Sequence, residues 1–494
     1  MARGALALAF LLALPPAARA EQAFCPPYPD SPLHRPRDRQ VPAGPADWIA
    51  AVQSAADGDE ILLADGVYHL TSCPLVIDAA ITLRGASGDR DAVRIVGPGY
   101  DVFCEALMIA APDVTIADLT LTGMRNHAVS VEGELGADAT HVYNVHFVDV
   151  GTQMIKGTWS VGQAATKSED GVVACSRFEY TPGGVEGDYI NAIDIHGGLD
   201  WVVRDNLILN HWGDGSGCEV DIDCGTYGAG GGPAILFWNG SAGTVVERNR
   251  ILDAYMGIAL GFGSAHPGGA VRNNFVFQPA AGRQLIGGFR EADMGIQVKG
   301  GSGTAIDHNT VILGGTYPGA VEVWDSTGLA VRNNLLSRPV WHRGNADYNG
   351  CANEACDDVP FGNKIDATAA DLAAPGEPDL AGSSGAVDFP SAGALAGTPR
   401  DIQHDVRPSG AGVDAGCDEL LQGCEDLMLA GETVAGAAVY ESCAGIEAGS
   451  GFAILPPGDV AFVARRRIAL ADGFAVEAGA AFRAAIDPTA GAPP

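Results

Sequence analysis

Three residues in the middle of the chain have the types and spacing for acid–base work on an anion: Lys156, Asp194 and His196. Each sits in a short run of alternating character, Met154-Ile-Lys and Ile193-Asp-Ile-His. Alternation is the period of a strand, so a core containing Ile155, Ile193 and Ile195 turns the lysine, the carboxylate and the imidazole outward. A carboxylate on the same strand biases an imidazole's proton. A nearby ammonium neutralises a carboxylate. Together these groups suit abstraction of a proton next to a carboxylate, where a base takes the proton and a cation holds the developing charge.

Comparable runs follow at Leu236-Phe-Trp-Asn, Ile258-Ala-Leu-Gly, Ile296-Gln-Val-Lys and Val321-Glu-Val-Trp. Counting along them gives two outward columns. One holds Lys156, His196, Asn239, Gly261, Lys299 and Trp324; the other holds Met154, Asp194, Phe237, Ala259, Gln297 and Glu322. Lys299 joins the catalytic candidates, and Asn239, Gln297, Glu322 and Trp324 become candidate substrate contacts. A one-residue bulge in 236–239 would turn Trp238 outward to stack on a sugar. His266, in the turn His266-Pro-Gly-Gly, and Arg290 are further contacts at the rim. A polar strand face is also what any soluble solenoid presents. What marks this one is the Asp194/His196 pair and the insertions at 157–170, 181–190, 211–232 and 279–293, which would wall a groove.

The elements that must position these residues are repeats. A motif of apolar residues, a polar pair ending in Asn, and more apolar residues recurs with Asn206, Asn249, Asn274, Asn309 and Asn334 aligned. The spacings are 43, 25, 35 and 25. A coil of a β solenoid takes roughly two dozen residues, so the longer spacings are one coil plus an insertion. Stacked Asn amides bond one another along such a solenoid, so this column reads as structure.

Upstream, Asp57-Gly-Asp-Glu-Ile-Leu-Leu-Ala-Asp-Gly-Val-Tyr and Ile81-Thr-Leu-Arg-Gly resemble the opening of pectate-lyase-like β-helix proteins. With the repeats, this implies an all-β fold, a right-handed parallel β-helix over 45–420. Residues 45–110 are its N-terminal cap and first coils, and 21–44 are a preceding segment. The resemblance speaks for fold more than activity, because the superfamily includes lyases, hydrolases, epimerases and adhesins. Its lyases often use lysine, arginine and calcium on one outer face. No such arginine motif is found here; Arg290 and Arg343 stand only in loops. The pattern loosens near Gly376, and 399–419 reads as a closing segment. Gly451-Phe452 and Gly473-Phe474, 22 residues apart and each followed by a second Phe, mark a small stacked-strand β module over 426–487. Its expected role is surface attachment, sorting or stabilisation.

Residues 1–20 have the charge, apolar run and Ala-Arg-Ala site of a signal peptide. Eleven cysteines fit an oxidising exterior. Short-loop pairs are Cys218/Cys224, Cys351/Cys356 and Cys417/Cys424, and Cys73 and Cys104 lie one coil apart. Cys25, Cys175 and Cys443 are left over, and the odd total requires a free thiol, most simply a buried one. A formal charge of −32 argues against nucleic acid and anionic membranes as partners. Asp214, Asp221 and Asp223 in loop 211–232 could hold calcium, although a disulfide-closed acidic loop accounts for them more simply. No other cofactor is implied.

The leading expectation is a secreted or cell-surface monomer acting on a polysaccharide: a lyase performing β-elimination on a uronate glycan. A glycoside hydrolase pairing Asp194 with Glu186 or Asp188, since Glu322 lies several coils along the column, and a binding protein without catalysis, are the alternatives.

Overall fold

The computed structural model describes residues 25–486 except 182–188, 214–230, 279–282, 286–287, 291–292, 353–358, 390–397, 406, 408, 410–411, 421–426, 443–444, 450 and 465–466. Its strands are nearly all parallel and stack coil upon coil into a right-handed β-helix. Each coil contributes a strand to each of three stacks. Two of these fuse into one sheet through the long strands Thr115–Met124 and His141–Val148, which run through both stacks. The third is a separate ten-stranded sheet from Leu75–Ile77 to Val340–Arg343.

Alternation builds the interior. Val129, Ile155, Ile193, Ile235, Ile258, Ile296, Val321 and Val340 lie in register down the ten-stranded sheet, all buried. The helix Trp48–Gln53 lies beside the first coils, with Trp48 and Val52 buried in the core.

The asparagine column is a continuous ladder. Nδ2 of Asn206 donates to Oδ1 of Asn249 at 2.9 Å, and the pattern repeats through Asn274, Asn309 and Asn334 to Asn363 at 2.9–3.0 Å. Each amide is buried, and each also donates to a backbone carbonyl of the coil before it. The residue before each ladder member turns the chain. Asp205, Arg248, Asn273, His308 and Asn333 all have φ of 53–58°, the left-handed region that short polar side chains tolerate best. This explains the polar pair in the repeat. Asn363, the sixth rung, escaped the sequence pattern because no apolar strand run follows it.

Regular coils stop near this rung, shortly before Gly376, where the repeat pattern loosens. The described residues of 359–420 add no strand to the coil stacks, and Leu372, Leu380, Ala386 and Ile402 pack with Phe275, Ile312 and Leu335. The segment before the first coil is also tied down. Cys25 bonds Cys175 across 150 residues. Tyr28 is buried against Tyr143, and its amide donates to Asp118. Cys73 and Cys104 are bonded as expected. Cys417 is not: it is a buried free thiol, which corrects the 417/424 pairing and supplies the buried thiol the odd count requires. Cys351 is disulfide-bonded, and its partner, like both members of the 218/224 pair, lies outside the described residues.

The C-terminal module is a small three-sided parallel solenoid of three coils over Leu427–Ile486. Phe452, Phe462, Phe474 and Phe482 pack on one another in its centre. Among the described residues no helix is long and apolar enough to cross a membrane.

Candidate functional site

The outer face of the ten-stranded sheet brings several of the candidate residues together. Strands Ile155–Thr158 and Ile193–His196 are neighbours, with Lys156 paired to Asp194. Lys156 Nζ lies 2.5 Å from Asp194 Oδ2 and 2.9 Å from His196 Nε2. Asp194 Oδ1 is 3.4 Å from the same imidazole nitrogen and accepts the Trp238 indole N–H at 3.0 Å. The far side of the ring meets the Asn239 amide at 3.2 Å from Nδ1, and the Trp238 indole stands edge-on to it. Asp194 is 1% exposed at its side chain, Lys156 17% and His196 22%. The carboxylate is therefore the buried support, and the ammonium and imidazole are what a ligand meets.

Burial pushes the Asp194 carboxyl up, but Lys156 and then His196 outweigh it and hold it below the usual carboxylate range. An ionised Asp194 keeps the ammonium in place.

The register revises the expected columns. Lys156 shares its column with Asp194, Leu236, Ala259, Gln297 and Glu322; His196 shares the other with Trp238, while Lys299, Trp324 and Arg343 follow further along. Met154 is buried and precedes the strand. At 236–239 the count slips by one. Ile235 and Phe237 face inward opposite Ile193 and Ile195, so Trp238 faces outward without a bulge. Asn239 follows the strand in a left-handed turn with φ 47°.

The other candidates divide. Lys299 is on the same face but about three strands from His196, roughly 14 Å at strand spacing. Gln297 is buried, donating to Glu322 Oε1 at 3.1 Å. Glu322 is fully buried as well and also accepts from Tyr317 and from Arg343. It lies four strands from Asp194, about 19 Å, too far for the paired carboxylates of a glycosidase. Trp324 is not an open platform, because Lys299 and Arg343 both lie over its ring. His266 is corrected from rim contact to buried turn residue: its Nε2 meets the Thr244 hydroxyl at 2.9 Å, and burial pushes its pKa down to about 4. Arg290 pairs through its backbone with Arg283 in a small hairpin, and its side chain is outside the described residues. Asp214, Asp221 and Asp223, with Glu186 and Asp188, also lie outside them, so no calcium site is built on those carboxylates.

Several site residues stand where alternation gives no signal. His127 precedes its strand, with Nδ1 3.3 Å from the Gln153 carbonyl; burial and the nearby Lys156 push it down to about 4. Tyr255, Asp293 and Tyr317 stand at strand entries, where Tyr255 and Tyr317 flank the outward apolar patch of Leu236, Ala259, Met256 and Met294. Burial and Glu322 push Asp293 up to about 6. Tyr189, Tyr255 and Tyr317, each within four residues before a strand of this sheet, were the available signal. Trp159, just after Ile155–Thr158, packs across Gly197 and Gly240, where a Cβ would come within 2.6 Å of its ring. Both glycines have positive φ, so the indole closes one side of the His196 site.

No family model matches the chain, and no curated protein does. Solved structures align with the chain at low identity. An alginate lyase from Paenibacillus sp. str. FPU-7 is 16% identical with TM-score 0.41, covering 67% of this chain and 98% of its own. Pectate lyase Pel9A is 11% identical with TM-score 0.44, covering 78% and 96%. The A-module of an Azotobacter vinelandii mannuronan C-5 epimerase is 11% identical with TM-score 0.37, covering 90% and 93%. At these identities and scores the likeness bears on neither substrate nor reaction.

Proposed function

We propose that this chain is an exported polysaccharide lyase that cleaves a uronate-containing glycan by β-elimination on the outer face of the ten-stranded sheet. The observation that carries this reading is the Lys156–Asp194–His196 cluster, a cation and a base side by side on an outward face and held from below by a buried carboxylate. Lys156 takes the uronate carboxylate and steadies the charge that spreads into it as the neighbouring C–H ionises. His196 takes that proton through Nε2 once the substrate carboxylate has drawn the Lys156 ammonium off that nitrogen. The electrons form the carbon–carbon double bond, and the glycosidic bond breaks with its pair on the leaving oxygen. The imidazolium just formed is the nearest acid to return a proton to that oxygen. Asp194 holds Lys156 and the indole N–H in place and does not touch the substrate. The apolar start of the sequence and the disulfides support export.

The test is incubation of purified protein with alginate, polygalacturonate and neutral polysaccharides, following the ultraviolet absorbance of an unsaturated sugar end. The reading requires absorbance from an acidic polymer and its loss in Lys156→Ala. Reducing ends without that absorbance would favour hydrolysis. One observation favours that second reading: burial and the neighbouring Glu322 push the Asp293 carboxyl up to about 6, the direction a general acid needs.

A further inference from the structure

A second arrangement lies further along the same face. Lys299, Trp324 and Arg343 hold one register position on three successive strands, Ile296–Lys299, Val321–Trp324 and Val340–Arg343. Lys299 Nζ is 3.5 Å from the centroid of the Trp324 ring and the Arg343 guanidinium carbon is 3.9 Å from it. The two strands flank the tryptophan's strand on opposite sides, so the ring stands as a spacer between two cations. Arg343 is anchored from below: Glu322 accepts its Nη1 at 3.1 Å, and the Tyr317 hydroxyl and Gln297 amide fix that carboxylate in turn. Among the described residues Arg343 makes no other side-chain hydrogen bond and Lys299 Nζ makes none, nor any ion pair. The Arg343 side chain is 43% exposed while its partner Glu322 is fully buried. A guanidinium edge and an ammonium are thus presented to solvent at a fixed spacing, on a protein whose formal charge is −32.

The geometry points to a distal anion subsite: the Lys299–Trp324–Arg343 stack binds an acidic group of a glycan chain that also occupies the His196 cluster. This rests on the reading of the face as an acidic-glycan site and extends it. Like charges on either side of one ring repel, and an anion bridging them relieves that repulsion. Binding that reaches both places needs a chain several sugars long, because the two lie about three strands, roughly 14 Å, apart. The subsite therefore selects for length and for repeated acidic groups, while Glu322, Gln297 and Tyr317 are positioning residues for Arg343.

The test uses His196→Ala as the parent, so that bound polymer is not consumed. Its affinity is measured by titration calorimetry for polygalacturonate and alginate, for dextran sulfate, for neutral dextran, and for the disaccharide of each uronate. Adding Lys299→Gln with Arg343→Gln should weaken long uronate chains roughly ten-fold, leave the disaccharides within about two-fold, and flatten the salt dependence of binding. Restoring charge with Arg343→Lys in the same protein should recover part of the loss. Stronger binding of dextran sulfate than of either uronate would assign the subsite to sulfate esters instead of carboxylates. Melting temperatures confirm that the variants are folded. A double variant that binds long uronate chains like its parent, or a parent that binds no acidic polymer, overturns the subsite. A wild-type protein that binds acidic chains at this stack but forms no unsaturated product overturns the elimination reading alone.

Discussion

Two columns of polar side chains run along this solenoid at the same strand spacing, and they are put to opposite uses. In the asparagine ladder every rung is the same residue. An amide is both donor and acceptor, so identical rungs satisfy one another and the column closes off from water. On the outer face of the ten-stranded sheet the rungs differ: Lys156, Asp194, Leu236, Ala259, Gln297 and Glu322 in one column, with His196, Trp238, Lys299, Trp324 and Arg343 in the other. Unlike neighbours cannot tile. They pair locally and leave a group such as His196 partly open to solvent, at 22% exposure, held only by its neighbours Lys156 and Asn239. Sameness along a solenoid builds structure, and difference leaves room for chemistry.

The comparison breaks most sharply at His196. His196→Ala should lower turnover about 10²–10⁴-fold, the range for a general acid or base. Its cost in stability should be near 1 kcal/mol, the net worth of an ordinary hydrogen bond. Full activity in that variant would make the outer face a mere polar surface.

The reverse should hold on the ladder. Asn274→Ala removes the acceptor of both the Asn249 backbone N–H and its side-chain amide, and leaves a gap in a buried column. Each stranded group costs about 1–3 kcal/mol, so unfolding by urea should show a loss of roughly 2–5 kcal/mol. Turnover per folded molecule should not change. A ladder variant that unfolds like wild type but loses activity would invert the assignment of the two columns.

Acid should sharpen the comparison less strongly. Buried His127, His141 and His266 are pushed down to about 4 and His211 to about 3, chiefly by burial. These rings stay neutral in the folded protein, whereas the unfolded chain takes protons below about 6.5. The unfolded state therefore binds more protons between about 6.5 and 4, and stability falls as pH falls through that window. Asp118 and Asp293, pushed up to about 6, work the other way, because the folded state gains protons first as pH falls through 6. Among the described residues, five lowered imidazoles, His308 included, and six lowered carboxyls outweigh five raised carboxyls, which predicts a net fall in melting temperature between about pH 6.5 and 4. His211→Gln should shrink that fall by one group's share, and a melting temperature that rises on acidification would refute the balance.

A pair of cysteine variants separates the N-terminal segment from both columns. Cys25→Ser with Cys175→Ser removes a link closing 150 residues, so stability should drop by about 2–5 kcal/mol or less, since Tyr28 and the Arg37–Asp113 pair still hold the segment. Activity at low temperature should be unaffected, because neither cysteine approaches the site sheet.

Much of this arrangement was legible beforehand. Alternation turned Asp194 and His196 outward and Ile193 and Ile195 inward, and the Asn repeat marked the coils. Misreadings came where a count had no anchor. At 236–239 a one-residue slip exchanged Phe237 and Trp238, since both are large and apolar and either suits a core. His266 looked exposed because its turn motif resembles a surface loop, yet the turn folds under the Thr244 hydroxyl. The Cys25–Cys175 link could not be read at all, because the spacing of 150 residues says nothing about approach in space.

The sequence by itself determined the period of the coils and, outside 236–239, which strand residues face the core and which face out, because these follow from side-chain alternation and from the turn each Asn occupies. Only the tertiary structure decided which outward residues touch. Coils are separated by insertions of unequal length, and strand stacking ignores that length: residues 38 apart in the chain, Lys156 and Asp194, become adjacent rungs 2.5 Å apart at their charged ends. Hydrogen bonding between strands, and not distance along the chain, sets the register that turns separate polar residues into a site.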